Sequence, residues 1–203
     1  MVNLSTEDAK KLYFSIMRTN VIRDGVENML KYLEDSDFFI APASTRFHLS
    51  RPGGLCIHSL DVYYRLMKEI SNEYGDVSKS PYKLDTLTIV SLCHDFCKID
   101  MYETQMRNVK EGNTWVQKPK YVINDKLPIH HGYKSHYIVS AFIKLTREES
   151  IAIMHHMGGF DELVKGGSYS ISNSFKMYPL AVLLHCADLK ASNIDERGTE
   201  FGV

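Results

Sequence analysis

The stretch LDTLTIVSLCHDFCKID, residues 84–100, carries the reading on which the rest depends. Leu87, Ile89, Val90 and Leu92 do not keep to one helical face, so a helix running through them is buried on several sides. Asp85 stands where it can cap that helix, and His94 and Asp95 fall inside it. A lone histidine on an apolar face is ordinarily a hydrogen-bonded core residue. A buried acid is rarer, because an ionised carboxylate needs a partner or a metal. The adjacent pair combines both oddities, and Asp188 repeats the second within YPLAVLLHCADLKAS, residues 178–192. A divalent cation offsets all of these groups at once, since neutral imidazole and ionised carboxylate are its ligands.

On the N-terminal side, Ser5 is placed to cap a helix with Glu7 and Asp8 in its first turn. Leu12, Ile16, Val26, Met29, Leu30 and Leu33 then give two amphipathic scaffold helices within residues 5–35. Pro42, Pro52, Gly53 and Gly54 mark residues 38–54 as a loop. It leads into a helix from Leu55 to about Glu73, whose apolar face Leu55, Val62, Leu66 and Ile70 carries His58 inward.

On the C-terminal side, residues 101–126 alternate weakly around Glu111-Gly112-Asn113, as a short β-hairpin does. Trp115 and Tyr121 are expected to be plain hairpin core rather than a base-stacking pair. A helix follows in IHHGYKSHYIVSAFIKL (residues 129–145), and Thr146 to Glu149 form a capping box before IAIMHHM. Gly158-Gly159 ends that helix, and Pro179 opens the last. The expected fold class is mainly α, a helical bundle with a small β-hairpin excursion, in one domain over residues 1–203.

With 44% hydrophobic and 24% charged residues, the composition is that of a globular chain and excludes wholesale disorder. Lys plus Arg number 24 against 25 Asp plus Glu, so no global field gathers a long nucleic acid. A small anion held by a local metal remains compatible. No apolar run approaches the roughly 20 residues that cross a bilayer, and the start lacks a signal peptide. The expectation is a cytoplasmic protein without membrane contact. Cys56, Cys93, Cys97 and Cys186 show no metal-knuckle spacing and read as reduced, buried residues. GxSxG, P-loop and GxGxxG patterns are absent, so the chain supplies no familiar nucleophile or phosphate cradle of its own.

Taken together, His58 in GGLCIHSLDVY, His94-Asp95 in SLCHDFCKID and Asp188 in LLHCADLKAS resemble the ordered H…HD…D pattern of the HD superfamily of metal-dependent phosphohydrolases. His131 in IHHGYKS and His156 in MHHMGG fall where binuclear members of that family insert further ligands. The resemblance implies an HD core over about residues 40–196 and two divalent ions, with Mn, Fe, Co, Ni, Mg and Zn not distinguished. One ion would be held by His58, His94, Asp95 and Asp188, and Asp95 would bridge to a second held by His131 and His156. His130 and His155 stay open as replacements for their neighbours.

The resemblance further implies that Lys98 lies beside the phosphate and shares the catalytic role with Asp95. Lys134 and His48 are candidate substrate contacts, and His185 is a partner of the ligands or a core residue. The expected activity is hydrolysis of a phosphate ester or anhydride in a small nucleotide-like substrate. HD-type di-iron oxygenases present the same ligand order, and a short-oligonucleotide 3′-5′ exonuclease and a non-catalytic nucleotide- or metal-sensing module are the other readings.

Overall fold

The computed structural model describes residues 4–196. Helix α1 spans Thr6–Asn20, capped by Ser5, whose hydroxyl accepts the Asp8 N–H at 3.1 Å; α2 spans Val26–Asp35. The long α3, Gly54–Tyr74, begins on Gly53, which has φ +76°, and is followed by α4, Leu84–Cys93. A β-carbon on Gly54 would lie 2.0 Å from the Leu49 carbonyl oxygen, so only glycine lets the 38–53 loop press against the start of α3. Strands β1, Tyr102–Glu111, and β2, Thr114–Ile123, pair antiparallel from Tyr102 opposite Ile123 to Glu111 opposite Thr114. The expected hairpin is therefore present around Gly112-Asn113. Helices α5, His131–Ser140; α6, Arg147–Met154; α7, Glu162–Lys165; α8, Ser170–Met177; and α9, Pro179–Lys190 complete a mainly α fold.

All seven residues from Leu87 to Cys93 are buried, because α4 packs on α1, α3 and α6. One apolar cluster joins α1 and α2 to the aromatic group Tyr13, Phe38, Phe39 and Phe96. A second lies between α3, α4, α6 and α9, with Leu66, Ile70, Val90 and Leu184 fully buried. Met67 and Leu145 pack against both clusters. Among the described residues no helix is long and apolar enough to cross a membrane.

Four boundaries differ from the sequence reading, one of them that of α5, which spans His131–Ser140 where a helix within residues 129–145 is expected. Lys83, not Asp85, is the residue before α4, because the Asp85 carboxylate is taken by Arg23 Nε at 3.0 Å. The helix ends at Cys93 instead of running through His94 and Asp95. The Asp95 backbone (φ −105°, ψ 22°) has left helical geometry, and a short 3-10 turn, Phe96–Lys98, follows. Helix α6 stops at Met154, before Gly158, although its capping box forms as expected through Thr146 and Glu149. The turn α7 and the helix α8 carry no strong apolar run and were not expected.

Arg23 ties the α1–α2 connection to α6. Its guanidinium donates to both Glu149 oxygens at 2.6 and 2.9 Å, and Thr86 Oγ1 and the Thr146 N–H donate to the same buried carboxylate at 2.6 and 2.7 Å. Burial alone would raise the Glu149 pKa, but the Arg23, Thr86 and Thr146 hydrogen bonds outweigh it and bring it to about 2. A depressed carboxylate adds stability above its unfolded pKa of about 4.3 and loses it as pH falls toward the folded value. Arg23→Ala strands a buried charge and should cost about 3–5 kcal/mol in urea unfolding at pH 7. The cost should shrink at pH 3, where the stranded carboxylate takes up a proton; an equal cost at both pH values would contradict the assignment.

Candidate metal centre

His58 is brought inward by the buried face of α3, His94 and Asp95 by the turn after α4, His131 by the first position of α5, His156 by the turn after α6, and Asp188 by α9. The Asp95 carboxylate lies in their midst. Its Oδ2 is 3.3 Å from His58 Nε2 and 3.5 Å from His94 Nε2, and its Oδ1 is 3.0 Å from His131 Nε2 and 3.6 Å from His156 Nε2. Asp188 Oδ1 is 3.2 Å from His58 Nε2 and 4.0 Å from His94 Nε2. Candidate ligand atoms lie within 4.8 Å of one another in the trios His58-His94-Asp95, His94-His156-Asp188 and Asp95-Cys97-His131.

Hydrogen bonding decides what these nitrogens offer. His94 Nδ1 lies 2.7 Å from the Ser91 carbonyl, His156 Nδ1 2.7 Å from the Ile153 carbonyl, and His58 Nδ1 2.9 Å from Glu196 Oε1. A carbonyl or carboxylate oxygen only accepts, so in each neutral ring the proton sits on Nδ1 and Nε2 is a bare lone pair. In their neutral form these rings turn three lone pairs toward two carboxylates. His94 Nε2 stands 3.3 Å from His58 Nε2, and the buried His156 Nε2 has no hydrogen-bond partner. Acceptors facing acceptors repel unless a proton or a metal cation lies between them, and this donor set suits a divalent metal.

The side-chain electrostatics show the carboxylates drawing positive charge toward these same rings. Burial opposes charge on every one of these groups. For His58 the Glu196, Asp188 and Asp95 carboxylates win, holding its pKa well above the ordinary imidazole range, and against burial Asp95 and Asp188 raise His156 as well. His94, where burial prevails, is lowered to about 4. Burial raises Asp95 and Asp188, yet Lys98 and His94 pull Asp95 well below the usual carboxylate range, and His58 and His94 do the same for Asp188. Lys98 Nζ is 2.6 Å from Asp95 Oδ2, and this carboxylate outweighs burial to keep the ammonium charged.

The neighbouring histidines are engaged elsewhere. His130 Nε2 lies 2.8 Å from Asp161 Oδ1, and His155 Nδ1 lies 2.7 Å from Ser174 Oγ. His131 and His156, not these neighbours, meet Asp95. His185 Nδ1 donates to the His156 carbonyl at 2.7 Å. A β-carbon on Gly158 (φ +54°) would sit 2.5 Å from the His185 ring, so glycine permits this brace beside His156. His48 does reach the group, with its ring centroid 5.0 Å from that of His58 and its Nε2 3.9 Å from Glu196 Oε2. Lys134 does not: it is only 3% exposed, and its ammonium is 2.5 Å from Asp125 Oδ1. That ion pair holds the segment before α5, so Lys134 is not presented to a substrate.

Sequence reading missed Cys97 and Glu196. Cys97 Sγ lies 3.8 Å from Asp95 Oδ1 and 3.3 Å from the His131 ring; its position two residues after Asp95 was the available signal. Nothing in the sequence marks Glu196, which a π-helical turn, Ala191–Asp195, delivers to His58. A cavity of about 420 Å³ adjoins this centre, lined by Cys97 and His131 together with His130, Asp161 and Lys165. That is the scale of a small-molecule pocket. Comparison with protein families, with characterised proteins and with solved structures gives no match for this chain.

A ligand that binds only the folded state stabilises it by mass action, about 2.7 kcal/mol at a hundredfold excess over Kd. Adding manganese or zinc to chelator-treated protein should therefore raise the thermal midpoint in proportion to the logarithm of metal concentration. In His94→Ala the shift should be largely lost, and a full shift in that variant would place the metal elsewhere.

Proposed function

We propose that this chain is a binuclear, HD-type metal-dependent phosphohydrolase acting on a small nucleotide-like substrate. The observation that carries the reading is the convergence of the Nε2 atoms of His58, His94 and His156, each ring held at Nδ1 by an acceptor, on Asp95 and Asp188. His58, His94, Asp95 and Asp188 would hold one ion, and Asp95, His131 and His156 the second. Bound there, the ions would supply a water acidified toward hydroxide and positive charge for the phosphate.

The chain's own residues would do the remainder. Asp95 offers separate oxygens to its two groups of histidines, Oδ2 toward His58 and His94 and Oδ1 toward His131 and His156. Lys98 adds a buried ammonium beside them. Two divalent ions plus Lys98 outweigh the two aspartates, and an anionic substrate offsets the excess; this favours phosphate over the neutral carbon substrates of an oxygenase. Lys98 is placed to stabilise charge that grows on phosphate oxygens during attack. The cavity beside His131 and Cys97 gives room for the rest of a nucleotide-sized molecule, and its apolar wall of Met101, Pro128, Ile129, Met157 and Phe160 would exclude water from one side of it.

Elemental analysis of protein purified without chelator or nickel resin should find about two ions per chain, as in two-metal sites, and Asp95→Ala should lose most of both. A wild-type chain that binds no metal even after reconstitution would end the enzymatic reading. Lys98→Ala should retain metal and lower kcat on phosphate esters by about 10²–10³-fold. Iron-dependent oxygen consumption without any phosphate release would establish the oxygenase instead.

A further inference from the structure

The hairpin was expected to enclose its own aromatic residues, yet Trp115 is 66% exposed. Side chains of directly opposed residues lie on one face of an antiparallel pair, so the register gathers Tyr102, Met106, Trp115, Pro119, Tyr121 and Ile123 on a single side. Thr104, Asn108, Gln117 and Lys110 share that side, and Lys110, opposite Trp115, is its one charged residue. The opposite face carries Val109, Val116 and Val122 among charged and amide groups that partly satisfy one another: Gln105 donates to Glu103 at 2.6 Å and Arg107 to Gln105 at 2.9 Å. Met106 and Ile123 are also more than half exposed. The two strands pair with each other, and among the described residues no helix packs broadly on either strand.

One end of this face meets the metal centre. β1 begins four residues after Lys98, and Met101 and Asp125, at the base of the hairpin, line the cavity with Cys97 and His131. Burial raises the Tyr102 phenol to about 12, with the charges of Lys98 and Asp95 also acting on it. The face therefore runs from the cavity wall out to Trp115 near the turn.

Its size selects an occupant. Ten-residue strands make a two-stranded face about 33 Å by roughly 10 Å, near 330 Å² and well short of the ~800 Å² per partner of a stable protein interface. Aromatic and apolar rings in file suit nucleobases, since every base has a π-face and stacking needs no sequence. Lys110, on the same face opposite Trp115, supplies a cation for a backbone phosphate. Resting on the phosphohydrolase reading, we propose that this hairpin face is a stacking track for a short single-stranded oligonucleotide, delivering its terminal phosphodiester to the metal centre. Hydrolysis adds the oxygen of water to phosphorus and breaks one P–O bond, leaving a hydroxyl on one nucleoside and a phosphate monoester on the other. Tyr102 and Lys110 are about 26 Å apart at roughly 3.3 Å per residue, room for roughly eight nucleotides at about 3.4 Å each.

Trp115 is the single tryptophan, so it reports on its own contacts. The full chain, held in chelator so that nothing is hydrolysed, should show Trp115 fluorescence quenched by ribo- and deoxy-octanucleotides but not by a mononucleotide. The ratio of the two octamers gives the sugar preference. Tyr121→Ala, with an unchanged circular dichroism spectrum, should weaken octamer binding at least fivefold. Absence of quenching at millimolar octamer, or equal quenching by the mononucleotide, overturns the track. So does an emission change with protein concentration alone accompanied by a doubled mass in sedimentation, which would make a second copy the occupant. Quenching without hydrolysis under any metal would keep the track and remove the hydrolase reading; hydrolysis of small esters without quenching would do the reverse.

Discussion

An ionised carboxylate in a place almost without water is the constraint around which this molecule is arranged. Asp95 is 2% exposed, and a charge so placed costs several kcal/mol unless its surroundings answer it. Lys98 answers it directly, at 2.6 Å. The remaining groups, His58, His94, His131 and His156, come from different segments of the chain. Their elements, α3, α4, α5 and α6, are therefore constrained at their inner ends by one side chain as well as by apolar packing.

The packing sets how far those ends can move. α4 touches α1, α3 and α6, and α9 lies across α3 and α6, so the helices that bring His58, Asp95, His156 and Asp188 form one contact network. Arg23 and Glu149 lock the far end of α6 to the α1–α2 connection. A site whose members sit on rigid, mutually packed helices holds its geometry better than one on loops. The hairpin is the reverse case: among the described residues its two strands pack mainly on each other.

Much of this was legible in residue types. The capping signals at Ser5 and Thr146, the proline at the start of α9 and the glycine-asparagine turn each act within a few residues, and each was readable. The inward placement of His58, His94, Asp95 and Asp188 followed from polar groups at apolar positions. Choices between neighbours were not legible. His130 and His131 differ by one step of chain, and only Asp161 and Asp95, distant in sequence, decide which way each points. The place where α4 breaks was hidden for a related reason: the turn at Asp95 is favoured by contacts to α3, α5 and α6, none of them local. Lys134 reads as a candidate substrate contact from its place in HGYKS beside His131, and its partner Asp125, nine residues earlier, gives no local signal of the pairing.

His94 and His156 are oriented by the carbonyls of their own preceding turns, Ser91 and Ile153. Those acceptors belong to the backbone and survive any substitution that preserves the turn. His58 is different, for its ring is oriented by the side chain of Glu196. The electron richness of two of the three imidazoles is thus inaccessible to point mutation, while that of the third hangs on one exchangeable carboxylate. For a lineage, or for an engineer, Glu196 is the available dial: a change there would retune the His58 ring while His94, His156, Asp95 and Asp188 keep their places.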